Sequence, residues 1–167
     1  AQRDNAKQIT ALVKNYLGEA VFAIADDPLL ESWLAFMGSC HQLSKDHPES
    51  YVLNFDIGGG TTNVALGHAG EALQTGCYFI GARHFQVHPG TYKLVKLSKY
   101  ARALLQQLNI EKHEGQALET SELNAIVKYY TNFIEALILG KSIDPTECDL
   151  LHTQAGFKLP HSVDANA

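Results

Sequence analysis

Asp56, Gly58, Gly59, Gly60, Thr61, Thr62 and Asn63 stand within eight residues of one another, in the stretch "FDIGGGTTN". Glycine in an extended segment costs about 0.5–1 kcal/mol relative to alanine, so a glycine triplet between two apolar runs needs a compensating reason. One reason is a tight hairpin with a bulge. The other is chemical: a turn without side chains lets a bulky anion reach the backbone N–H groups of residues 58 to 62. Hydrogen bonds to a charged partner contribute roughly 1.5–3 kcal/mol each, so two or three of them offset the glycine penalty. Asp56, just before the turn, is suited to hold the water shell of a magnesium ion, which prefers one or two carboxylates. Thr61 and Thr62 add hydroxyl groups. Two familiar nucleotide motifs are excluded, because no lysine follows Gly60 as in GxxxxGK[ST], and Asn63 stands where a dinucleotide fingerprint needs glycine.

Other candidates are weaker. Asp27 precedes Pro28, where an acid favours a helix start electrostatically, and a metal-organising role is the alternative. Arg83 suits either a surface ion pair or a phosphate or protein contact. The eight histidines show no HxxxH or HExxH spacing, and Cys40, Cys77 and Cys148 form no CxxC pair, so neither a zinc site nor a disulfide framework is indicated. Ser32, Ser39 and Cys40 lack a nucleophile elbow, and a hydrolase reading has no support.

The elements that must position these residues follow from periodicity. Ile9, Leu12, Val13, Tyr16 and Leu17 mark an amphipathic helix from about Asp4 to Leu17, stopped by Gly18. "AVFAIA" reads as a short strand. Pro28 opens a second helix, whose apolar stripe is Leu30, Trp33, Leu34 and Met37, ending near Gly38 or running on to Lys45. Residues 51–57 alternate as a strand with Tyr51, Leu53, Phe55 and Ile57 on one face and Asn54 and Asp56 on the other. "TTNVALGH" and "EALQTGCYFIG" complete a β-meander around a tight "AG" turn. Leu97, Tyr100, Ala101, Leu104, Leu105 and Leu108 mark a helix capped by Ser98, and Leu123 to Leu137 a longer one ending at Gly140. The expected class is α/β, a mixed sheet with a β-meander covered by helices, in one domain over residues 1–167 with frayed ends.

With 13 Lys and Arg against 18 Asp and Glu, and no basic run, nucleic acid is not an expected partner. No apolar stretch approaches the ~20 residues of a membrane span, so no membrane is expected either. Reduced thiols fit a cytosolic protein.

"FDIGGGTTN" resembles the second phosphate-binding hairpin of the superfamily of actin, sugar kinases and DnaK-type chaperones. More closely, with "AVFAIADDPLLESWLAFMGS", "GEALQTGCYFIGARHF" and "GTYKLVKLSKYARALLQQLNI", the chain is similar to the EutA family of ethanolamine ammonia-lyase reactivating factors. The resemblance implies a ribonuclease H-like, actin-type ATPase half, with the helix from Pro28 beside the nucleotide cleft. It implies ATP and magnesium as cofactors, Asp56 and Asp27 as the catalytic acids, Asp56 holding magnesium through water, and residues 58–63 binding phosphates. It implies ethanolamine ammonia-lyase as partner, ATP-driven release of damaged cobalamin from that adenosylcobalamin enzyme, and a cytoplasmic setting that includes the ethanolamine bacterial microcompartment. A homodimer is a further arrangement, and a non-catalytic interaction scaffold is the alternative function. Ala82 departs from the family's second glycine, and the acidic pair Asp26 and Asp27 includes an extra residue before the helix. The family's opposing DxGTxxT hairpin and its adenosine-supporting SGG segment do not occur in the 167 residues, so the resemblance implies an internal fragment with an incomplete ATP site.

Overall fold

A computed structural model describes residues 2–17 and 27–141. The elements are α1 (Gln2–Leu17), α2 (Pro28–Ser39), α3 (His41–Asp46), β1 (Tyr51–Ile57), β2 (Thr62–His68), β3 (Glu71–Tyr78), β4 (Phe85–Val87), β5 (Leu94–Leu97), α4 (Lys99–Gln107) and α5 (Thr120–Ile138). The expected strand over "AVFAIA", the neighbouring Asp26 and the chain ends lie outside the described residues.

The meander forms as its alternation predicts: β1, β2 and β3 pair antiparallel in that order. A two-residue turn joins β2 to β3, with Ala69 at φ 51° and Gly70 at φ 86°, the left-handed pair that matches the twist of a hairpin. Side-chain alternation then gives the sheet two different faces. Val64 and Leu66 of β2, with Leu53 and Phe55 of β1, pack into one core with Leu104, Leu105, Ile126 and Phe133 of α4 and α5. Asn63 and Gly67 face the opposite way, against α2. The described sheet is thus sandwiched between α2–α3 and α4–α5.

The second helix corrects one expectation. Leu30, Trp33 and Leu34 are exposed, while Ser32 and Phe36 are completely buried. The sheet explains the choice of face. A Cβ on Gly67 would lie 1.9 Å from the Phe36 ring, and Ser32 Oγ donates to the Gly76 carbonyl at 2.7 Å, so the helix sits where the strands carry no side chains. A break at Cys40 separates α2 from α3 where the sequence allowed one continuous helix. The α1 stripe is also uncovered, with Ile9, Leu12 and Tyr16 each more than half exposed.

Beyond the meander, β4 and β5 form a short antiparallel hairpin that the sequence reading missed. Leu97 accordingly belongs to the end of β5 rather than to the following helix. Ser98 caps α4 as expected, its Oγ accepting from the Ala101 N–H at 3.1 Å. A capping box of Glu119 and Glu122 starts α5.

Candidate functional site

The residues between β1 and β2, Gly58 to Thr61, form a compact turn closed by the Gly58 N–H donating to the Thr61 carbonyl at 2.8 Å. The strand β3 leads into a segment that holds this turn from behind. Ala82 N–H donates to the Gly58 carbonyl at 3.0 Å, and Arg83 N–H to the Gly59 carbonyl at 2.9 Å. Gly81 makes that approach possible, since a Cβ there would lie 2.5 Å from the Gly59 carbonyl oxygen. The carbonyls of Gly58, Gly59 and Thr61 are therefore occupied, whereas the N–H groups of Gly59, Gly60 and Thr61 make no hydrogen bond among the described residues. This is a donor-rich concavity of the kind that accepts anions.

The three turn glycines owe little to special backbone angles, since none of them has a positive φ. A Cβ on Gly60 would meet nothing within 4 Å, while one on Gly59 would touch the flexible Arg83 side chain at 3.2 Å. Gly60 thus marks the open approach, and Gly81, which lies in the "IGAR" segment, marks the crowded one.

Asp56 lies opposite Asn63 in the β1–β2 register and so shares the α2 face of the sheet. Its carboxylate is exposed and makes no hydrogen bond or ion pair among the described residues. Ser32, in the early part of α2, bonds Asn63 at 3.1 Å, which sets the start of that helix at the sheet end that carries the glycine turn. Asp27 is the N-cap there, its Oδ1 accepting from the Leu29 N–H at 2.9 Å, as the helix-start reading requires. Asp27 is itself exposed.

Two expected ligand side chains are turned inward. Thr62 is buried and donates its hydroxyl to the Ile80 carbonyl at 2.8 Å, and Asn63 is buried against Ser32. Alternation dictates both: Thr62 follows the core-facing register of Val64, and Asn63 the helix-facing register. Thr61 alone of the pair lines open space. Arg83 is exposed and forms no ion pair among the described residues, so the surface salt bridge weighed from sequence is not present there.

Beside the turn lies a groove of about 400 Å³ whose lining includes Gly60, Thr61, Arg83, His84, Lys96 and Lys99. Phe79 and Tyr100 also line it, stacked on one another with ring centroids 4.0 Å apart. Sequence reasoning passed over His84, Lys96 and Lys99, because only the unforeseen β4–β5 hairpin brings them to the turn. His84 is buried, and burial holds its pKa below the ordinary histidine value, opposed by the backbone of Gly60 and Phe79. Among the described residues no group of three or more His, Cys, Asp or Glu is placed to hold a metal ion by itself.

The chain is 28% identical over 153 residues to the ethanolamine ammonia-lyase reactivase EutA of Salmonella typhimurium, covering 92% of this chain and 32% of that protein. It is 40% identical over 83 residues to the reactivase of the same name from Escherichia coli, covering 50% of this chain and 18% of that protein. The chain thus spans about a third or less of the length of these relatives. No solved structure matches it. The family model described as ethanolamine utilisation protein EutA matches residues 1–165, and the chain belongs to that family.

Proposed function

We propose that this chain forms one wall of the nucleotide cleft in an ATP-dependent reactivating factor for ethanolamine ammonia-lyase. The finer fold reading that goes with it is the actin-type, ribonuclease H-like half. The single observation that carries the proposal is the glycine turn, whose Gly58 and Gly59 carbonyls are tied back to Ala82 and Arg83 while the amides of Gly59, Gly60 and Thr61 have no hydrogen-bond partner among the described residues. Those amides fit the oxygens of a phosphate chain, and Gly60 gives them room. Asp56 fits magnesium, because a hard cation that keeps most of its waters needs one exposed, unpartnered carboxylate.

In this reading the turn binds and orients the phosphates without reorganising, because its backbone is fixed from behind. Asp56 orients the metal's water shell, and Asp27 fixes the start of α2 next to it. Bound MgATP supplies the free energy of phosphate hydrolysis. In the whole protein that energy would open the adenosylcobalamin-dependent lyase so that damaged cobalamin leaves. The names of the two relatives support the reactivating role. The lyase as partner, cytoplasmic placement and association with the microcompartment belong to the same proposal.

The test is Asp56→Ala in the whole protein. ATP turnover should fall by roughly tenfold or more, as expected for losing a charge-assisted contact, with the melting temperature unchanged because the residue is exposed. Unaltered turnover would remove Asp56 from the mechanism.

A second reading, a non-catalytic interaction scaffold, draws on a different observation. The face of α2 bearing Leu30, Trp33 and Leu34 is exposed although the helix is apolar nearly all round, a pattern typical of helices covered on every side. Reactivase activity that survives both Asp56→Ala and loss of ATP binding would favour this second reading.

A further inference from the structure

The groove beside the glycine turn carries more positive charge than packing explains. Arg83, Lys96 and Lys99 line it, no carboxylate does, and none of the three cations forms an ion pair among the described residues. Lys99 reaches only the Tyr100 ring, at 4.8 Å. This happens in a chain of net charge -5. A second cavity, beside Arg102 and Lys112, behaves differently: there Arg102 pairs with Glu114, and Lys112 lies 3.5 Å from Glu122. Three uncompensated cations around one concavity raise the local concentration of anions.

Two features aim donors at the same place. The start of α4 borders the groove, and its Ser98 cap uses the Ala101 N–H and the Arg102 N–H while those of Lys99 and Tyr100 have no partner among the described residues. Independently, His84 lines the groove at 4% exposure, and its buried Nε2 has no hydrogen-bond partner within geometric reach among the described residues. Ser98 Oγ lies 2.8 Å from His84 Nδ1. Because that hydroxyl accepts from Ala101, its own proton is free to go to Nδ1, which puts the ring proton on Nε2 as a donor.

We propose that this groove is a second oxyanion-binding wall, which takes a phosphate group through Arg83, Lys96, Lys99 and the start of α4. The proposal deepens the nucleotide reading and rests on it, since the glycine turn and the groove would grip neighbouring parts of one phosphate chain. Free polyphosphate and the phosphates of a nucleotide share this chemistry.

The experiment is an amide-resolved NMR titration of the 167-residue chain with inorganic pyrophosphate and, in a separate arm, with MgADP. Pyrophosphate should shift Lys99 and Tyr100 together with Gly59, Gly60 and Thr61. The exposed pair Lys96→Gln and Lys99→Gln, combined, should weaken binding by roughly fivefold or more in both arms, whereas Lys128→Gln on α5 should not. Weakening confined to the MgADP arm would overturn the phosphate assignment. Gly60→Val separates the two ideas. If it abolishes binding while the double lysine variant leaves affinity within about twofold, the turn binds phosphate and the groove proposal is wrong. If the lysine variant weakens binding and Gly60→Val does not, the groove stands and the glycine-turn reading falls. Absence of any shift with pyrophosphate up to about 20 mM overturns the groove outright.

Discussion

Gly60 and Gly81 are both glycines of the same site, yet they face opposite demands. A Cβ on Gly60 enters open space, whereas one on Gly81 lies 2.5 Å from a backbone oxygen that cannot move aside cheaply. Gly81→Ala should therefore destabilise the fold by about 1–3 kcal/mol, the usual range for overpacking, while Gly60→Ala should stay within roughly 0.5 kcal/mol. Urea melts of the two variants check this, and equal losses would mean that the clasp behind the turn is looser than its hydrogen bonds indicate. His84 makes a pH-dependent contribution of known sign. Its folded pKa is lowered from 6.5 by burial, so the unfolded chain binds more protons as the pH falls. The stability that His84 contributes is present above about 6.5 and is lost as pH drops through the folded value. Comparing urea midpoints from neutral to mildly acidic pH, the wild type should lose more stability than His84→Gln; parallel profiles would mean that His84 is not held neutral by the fold.

At the scale of elements, the two faces of α2 give the clearest contrast. Phe36 is fully buried over Gly67, so Phe36→Ala should cost about 3–5 kcal/mol. Trp33→Ala, on the exposed face, should cost under about 1 kcal/mol in this chain by itself. Chemical denaturation of both variants decides it, and a larger loss at Trp33 would restore the stripe expected from sequence. Reading α2 wrongly has a plain physical cause. Its apolar residues lie nearly all round the helix, and three-four periodicity cannot say which side a sheet will choose when the deciding residues, Gly67 and Gly76, are on strands far along the chain. The meander was legible because β1 alternates cleanly and because "AG" permits only a tight turn. Ser98 and Pro28 were legible as helix starts for equally local reasons. The β4–β5 hairpin was not, since β4 has only three residues and the buried Leu94 and Leu97 also fit a helical spacing with Ala101. Missing that hairpin hid the groove: Asp56 and the turn glycines are contiguous in sequence, but Lys96, Lys99 and His84 join them only through tertiary structure.

On the proposed reading, in which these 167 residues supply one wall of a nucleotide cleft, the chain by itself should bind nucleotide weakly. With a dissociation constant near 1 mM, about 1 mM MgATP stabilises the fold by roughly 0.4 kcal/mol, a melting shift of about 1–2 °C. A reproducible shift above about 5 °C would require a complete site, for instance one shared by two copies of the chain. The uncovered apolar residues of α1 and α2 make such association worth checking in the same samples by light scattering. The clasp behind the glycine turn has a consequence for how the molecule can be watched at work. The Ala82 and Arg83 amides are held by the Gly58 and Gly59 carbonyls, so their exchange with deuterated solvent requires the turn to open. Those two amides are therefore built-in clocks for turn opening. They tell apart a ligand that merely sits in a rigid cradle, which leaves the opening rate of the unliganded fraction unaltered, from one that must first unlatch the turn to get in.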